Sequence, residues 1–353
     1  MLKLIGLLFI TAFLLIGCDS KSEDTPSRLT TSSLGQFEVN GTQTFLLGIS
    51  YFDYMNYHPS DIDTLAARGF NTLRVFSQWN PESYGTTRSV CDAHGALQTT
   101  QRDTMQALID YAKTKNMVVK MVILDVASGT NMDTDAKRLN CVTNVVEYFK
   151  PTGAQVNWNV LFDVVQEHDS NYSPPLPEWA GTATLLKPYT DAAKAACPSC
   201  PIFASATHIN GFIGPADTTA ALTTAQEAVV AEKVVTNGEG VLAVHESRSS
   251  NWHSVTGARV AEYKAYLSSI GRQNIPVIFD EPCRLDFSAD CHATVAEVNQ
   301  AAVQAKSSGA AMWVFHTDGS FDMSTLTLIQ QLDATEAAIT LSIAKALAGA
   351  ATP

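Results

Sequence analysis

Apolar runs of four to eight residues alternate along the chain with longer stretches whose apolar positions recur every three or four residues. The short runs, rich in Val, Ile and Phe, suit strands of a parallel sheet covered on both faces, and the longer ones suit amphipathic helices. Ahead of them, residues 36–39 and 42–45 flank Asn40-Gly41, the dipeptide of a two-residue hairpin. The pattern then predicts strand 45–51, helix 60–68, strand 72–76, helix 101–115, strand 118–124, helix 138–149 and strand 160–166. It continues with helix 184–196, strand 202–206, helix 218–235, strand 241–245, helix 255–270, strand 277–279, helix 293–307, strand 311–315 and helix 324–346. Eight strands alternating with helices predict an α/β fold, a single-domain (β/α)8 TIM barrel, with the N-terminal β-hairpin closing the barrel bottom. A doubly wound sheet would need a Gly-rich phosphate turn after an early strand, and Tyr51-Phe52-Asp53-Tyr54 stands there instead.

Residues 1–17 break the pattern. Met1-Leu2-Lys3 is a positive n-region, and 4–16 is an apolar stretch of signal-peptide length, too short to span a membrane as a mature helix. It ends in Leu15-Ile16-Gly17-Cys18, which resembles the bacterial lipobox. That resemblance implies an exported protein, lipidated on Cys18 and held at a bacterial membrane facing the periplasm or cell exterior. The alternative is an ordinary signal peptide with a chance Cys. Residues 18–34, rich in Ser, Thr, Asp and Lys, read as a flexible tether, and 35–353 as the barrel.

Composition narrows the partners. With 46% hydrophobic and only 16% charged residues the chain can bury a large core, and its net charge of −12 leaves no basic cluster for nucleic acid. Setting Cys18 aside, six of the seven cysteines remain, an even number that favours disulfides in an exported chain. Proximity pairs Cys197 with Cys200 and Cys283 with Cys291, leaving Cys91 with Cys141 by elimination. Cys197-Pro198-Ser199-Cys200 has the CxxC form of a redox site, but it follows a predicted helix, whereas the redox motif opens one.

A barrel carries its active site at the C-terminal ends of its strands. Two of the predicted strands stop at carboxylates: one runs into Gln166-Glu167, the other into Asp280-Glu281. An ionised Glu is costly in such a strand unless it lies at the rim, and a pair of rim carboxylates is what glycoside hydrolysis requires. Asp280 competes with Glu281 for the nucleophile position.

Several segments carry a family likeness. The hairpin followed by Leu46-Leu47-Gly48-Ile49-Ser50-Tyr51, the stretch Gly69-Phe70-Asn71-Thr72-Leu73-Arg74-Val75 and the two strand-ending glutamates resemble clan A glycoside hydrolases, above all the cellulase and mannanase family, family 5. The likeness implies Glu167 as acid/base, Glu281 as nucleophile and Arg74 beside the nucleophile. It also implies a β-linked oligo- or polysaccharide substrate and no cofactor. His245, at the end of strand six, stands where the family commonly has a His near the nucleophile, and Met312-Trp313-Val314-Phe315 resembles the eighth strand with its sugar-platform Trp. Gln166 departs from the family, which has Asn before the acid/base; Gln keeps the amide one methylene further out and leaves the substrate open.

Retention requires two carboxyls about 5 Å apart, one protonated and one ionised. Arg74 would lower the pKa of Glu281, and Glu167, beside another carboxylate and partly desolvated, would be raised. Candidate subsite contacts are His208, Asn210 and His316, and Tyr51, Trp79, Trp252 and Trp313 could stack on a pyranose face; loop packing is the simpler account of a single Tyr, and Trp313 is the exception because its strand-eight position coincides with the platform that the resemblance implies. A metal hydrolase would show a His-x-His pair at strand one, which is absent, so no metal is expected. From a different class, a glycan-binding barrel that does not cleave would share the fold and the aromatic surface.

Overall fold

The computed structural model describes residues 29–78, 88–125, 132–151, 157–168, 183–206, 221–245, 251–282, 293–317 and 321–350. Strands β1 (Leu29–Thr31), β2 (Phe37–Val39) and β3 (Thr42–Gln43) form a small antiparallel sheet. Asn40 and Gly41 between β2 and β3 both have positive φ, 54° and 74°, which a type I′ turn requires. Strand β1 lies inside the stretch read as a tether. Leu29 pairs with Val39 and packs against the core, so apolar burial and a ladder of backbone hydrogen bonds order a segment whose composition alone reads as flexible.

Eight further strands build the barrel: β4 (Leu46–Tyr51), β5 (Thr72–Phe76), β6 (Val118–Asp125), β7 (Val160–Gln166), β8 (Ile202–Phe203), β9 (Leu242–Val244), β10 (Val277–Phe279) and β11 (Met312–Phe315). All neighbouring pairs are parallel, in the order β8-β7-β6-β5-β4-β11-β10-β9. The bridge Ala206 to Val244 and the bond from His245 N to Ala206 O at 2.8 Å join the two ends. Phe37, from the hairpin, sits fully buried with Leu46, Val118, Leu161, Phe203, Ile278 and Met312, the inward residues of the lower barrel. The hairpin therefore closes the barrel bottom, as its sequence position predicts.

Around the strands lie α1 (Pro59–Ala67), α2 (Thr99–Thr114), α3 (Asp135–Phe149), α4 (Ala183–Ala196), α5 (Thr224–Ala231), α6 (Trp252–Ser269), α7 (Val295–Ser307), α8 (Leu328–Gln331) and α9 (Ala334–Ala348). The single helix expected over 324–346 is split in two. Thr327 and Asp333 each form a capping box, with Gln330 and Glu336, and Leu332 between them is extended at ψ 132°. Two helix-start signals six residues apart outweigh the continuous apolar period. Likewise α5 begins at Thr224 behind a Thr223–Gln226 capping box and runs into a π turn, Glu232–Thr236. Disulfides join Cys91 to Cys141 and Cys197 to Cys200, as expected; Cys283, Cys291 and Cys18 lie outside the described residues. Among the described residues no helix is long and apolar enough to cross a membrane.

Candidate active site

Period-two alternation aims Arg74, in the middle of β5, into the barrel, where it is fully buried. Its Nη2 donates to Glu281 Oε2 at 2.9 Å. The same oxygen accepts from Gln166 Nε2 at 3.1 Å and lies 3.3 Å from His245 Nδ1, while Oε1 lies 3.2 Å from His316 Nε2. Nδ1 of His316 in turn is 2.8 Å from Ser50 Oγ. Glu281 is thus gripped from β5, β7, β9 and β11, the strands that carry these side chains or end just before them, and Ser50 on β4 supports it through His316. Burial by itself would raise its pKa, but the positive charges of His316, His245 and Arg74 outweigh that and hold it well below the usual carboxylate range.

Glu167 follows directly on β7 and is nearly buried. Its Oε1 lies 3.0 Å from His245 Nδ1, and the donor atoms of Glu167, His245 and Glu281 all fall within 4.8 Å of one another. That spacing is compatible with the short carboxyl separation of a retaining pair, about 5–5.5 Å. It is also the spacing of a cation site. The Arg74 guanidinium already lies against Glu281, however, so a metal ion there would meet like charge.

His245 bridges the upper pair to a second layer of charge. Its Nε2 is 3.2 Å from Asp280 Oδ1, and Asp280 also pairs with Lys120, whose Nζ donates to Asp163 Oδ2 at 2.7 Å. Lys120, Asp163 and Asp280 are fully buried in the barrel interior. Desolvation would lower the pKa of His245, but the charges of Glu281 and Asp280 raise it to about 10. The two strand-ending acids differ in position: Asp280 is enclosed as a counter-charge for Lys120 and His245, whereas Glu281 stands at the rim beside Glu167.

A raised histidine gives a stability prediction. The folded state keeps the His245 proton where the unfolded chain loses it, so this contribution is complete below about pH 6.5 and declines as pH rises toward about 10. Urea unfolding between pH 6.5 and 10 should show ΔG falling with pH, and a His245→Asn variant should show a shallower slope. An unchanged slope in the variant would sink the assignment.

The aromatic expectations need correction. Trp313 lies between Met312 and Val314, both of which line the barrel interior, so alternation turns its ring outward into the helix layer, with no exposed face. Tyr51 is fully buried in the same layer: its hydroxyl donates to Asp61 Oδ2 at 3.3 Å and accepts from His58 N at 3.0 Å. Trp252 is buried at the start of α6. None of the three offers a ring face to a sugar. The aromatic pair at the site is Phe52 with Phe76, stacked at 4.6 Å, with the Arg74 guanidinium 4.8 Å above the Phe76 ring and the His316 ring 5.5 Å from Phe52. Phe76 was findable, since it shares the inward face of β5 with Arg74. Lys120 and Asp163 also carried a signal, as lone charges inside apolar strands. Trp79, His208 and Asn210 lie outside the described residues.

No protein-family model matches the sequence, and no curated protein matches it either. Solved structures do resemble the fold. The GH5_18 protein of Streptomyces cattleya, solved with GlcNAc, is 15% identical, with 86% of this chain and 80% of that one covered at a TM-score of 0.58. The endo-1,4-beta-mannanase of Rhizomucor miehei is 13% identical over 91% of this chain and 99% of its own, also at 0.58. A GH5-4 broad-specificity endoglucanase from an uncultured bacterium is 16% identical over 83% and 85%, at 0.55.

Proposed function

We propose that the protein is a retaining glycoside hydrolase that cleaves β-linked oligo- or polysaccharides, with Glu281 as nucleophile and Glu167 as acid/base. The observation that carries this reading is the pairing of two rim carboxylates with an oxygen of each within 4.8 Å, one of them held ionised by His316, His245 and a buried arginine. In the first step Glu281 attacks the anomeric carbon while protonated Glu167 gives its proton to the leaving oxygen. In the second, Glu167 takes a proton from water, which attacks the same carbon and releases Glu281. His245 Nδ1, close to both carboxylates, moderates their mutual repulsion as Glu167 changes charge.

The fold likeness to a mannanase, an endoglucanase and a protein solved with GlcNAc supports a carbohydrate substrate. Two disulfides among the described residues suit an oxidising compartment, in keeping with an exported protein anchored through Cys18. Gln166 gives weight to a second reading, a lipoprotein that binds glycan without cleaving it, because its amide nitrogen is committed to Glu281. Incubation with defined β-glucan, mannan and xylan oligosaccharides decides between them. Release of reducing ends whose first-formed anomer by NMR is β supports the retaining enzyme; an α anomer removes the nucleophile role, and tight binding without cleavage favours the binder.

A further inference from the structure

Glu167 adopts a left-handed backbone conformation, φ 50°. Among the described residues the other non-glycine positions with positive φ are Asn40 and Asn116, a residue type that tolerates it. For Glu the left-handed region is strained by its Cβ, so the surrounding structure must hold it there. The next residue, His168, is buried, and its Nε2 lies 3.3 Å from Lys233 Nζ. Lys233 is itself fully buried; it donates to Ala204 O at 2.6 Å and pairs with Glu239 Oε2 at 3.1 Å. Glu239 accepts from Ala204 N at 3.2 Å, which ties the pair to the backbone just beyond β8, next to the strand that carries Glu167.

Lys233 stands on the π turn Glu232–Thr236, a rare geometry frequent at functional sites. A buried Lys–Glu pair is a poor source of stability, because desolvation offsets the Coulomb attraction. Stability therefore does not account for the arrangement. We propose that the Lys233–Glu239 pair is a positioning device for the acid/base carboxylate: by gripping His168 it holds the adjacent Glu167 in the left-handed turn that sets its Oε1 beside His245 and opposite Glu281. Lys233, Glu239 and His168 are positioning residues and move no proton in the reaction.

This inference rests on Glu167 being the acid/base, and the test separates the two. Lys233→Met is assayed on two aryl β-glycosides of the sugar that wild type cleaves, one with a phenol leaving group, which needs protonation, and one with dinitrophenol, which does not. A misaimed acid should lower kcat/KM for the phenyl glycoside by on the order of 100-fold and leave the dinitrophenyl value within about threefold. Lys233→Arg, which keeps the charge and a donor, should recover part of the loss. An equal fall on both substrates, or no fall on either, overturns the proposal. If Lys233→Met does not fold, His168→Phe carries the same comparison. Should wild type cleave no glycoside, the enzyme reading fails, and a crystal structure of the variant still decides the positioning claim. Glu167 relaxing to negative φ supports it, and Glu167 remaining near φ 50° with its 3.0 Å contact to His245 intact overturns it.

Discussion

Glu281→Ala is expected to lower kcat by on the order of 10⁴-fold or more, about 5.5 kcal/mol of lost transition-state stabilisation. Without the carboxylate no glycosyl-enzyme forms, and Arg74, His245 and His316 are left facing one another around an uncompensated gap. Oligosaccharide affinity, read by calorimetry, should change far less than the rate, because a nucleophile's bond to the anomeric carbon forms only on the way to the transition state. Added azide extends the test to stereochemistry. In Glu281→Ala the anion can enter from the face that the carboxylate vacates and should yield the glycosyl azide of inverted configuration. In Glu167→Ala it should instead intercept the covalent intermediate and yield the retained one. Reversed products would exchange the two roles, and a Glu281→Ala variant with undiminished kcat would remove the mechanism altogether.

The second large effect belongs to stability. Lys120→Met should destabilise the fold by about 3–5 kcal/mol, since it leaves Asp163 and Asp280 buried without their shared cation. Asp163 would keep its bonds from Ser205, 2.7 Å from Oγ and 2.9 Å from N, and Asp280 would keep His245, so the loss stops short of two bare charges. A second change, Asp163→Asn, removes one of the stranded charges and should restore a measurable part of the loss. Denaturant unfolding of the single and double variants checks both statements. A single variant within about 1 kcal/mol of wild type, or a double variant no more stable than the single, would show that the buried charges do not depend on one another.

The legible part of the site came from two local rules. A strand alternates its side chains, which put Arg74 on the inward face of β5, and a barrel presents its strand ends to substrate, which marked Glu167, His245 and Glu281. The family likeness alone suggested Trp313 as a sugar platform, and alternation places it otherwise: its neighbours Met312 and Val314 take the interior, so the Trp ring faces the helices. Tyr51 failed for a related reason, because a tyrosine at a strand end can bury its ring wherever a carboxylate such as Asp61 meets its hydroxyl. The helix split at Leu332 was written in two capping boxes that a purely hydrophobic reading passes over.

By itself the sequence determined the alternation of strands and helices, the hairpin at the bottom and the kinds of residue at each strand end, since periods of two and three to four residues and the Asn-Gly turn act between near neighbours. Only the tertiary structure decided that Glu281, and not Asp280, meets Glu167. It alone showed that Lys120 neutralises Asp163 and Asp280, and that Phe52 and Phe76, not Trp313, pack beside Arg74 and His316. Those outcomes depend on side chains far apart in the chain converging inside a closed ring of strands. There each buried charge must find a partner within a few ångströms, and which partner it finds is set by the register and closure of the whole barrel.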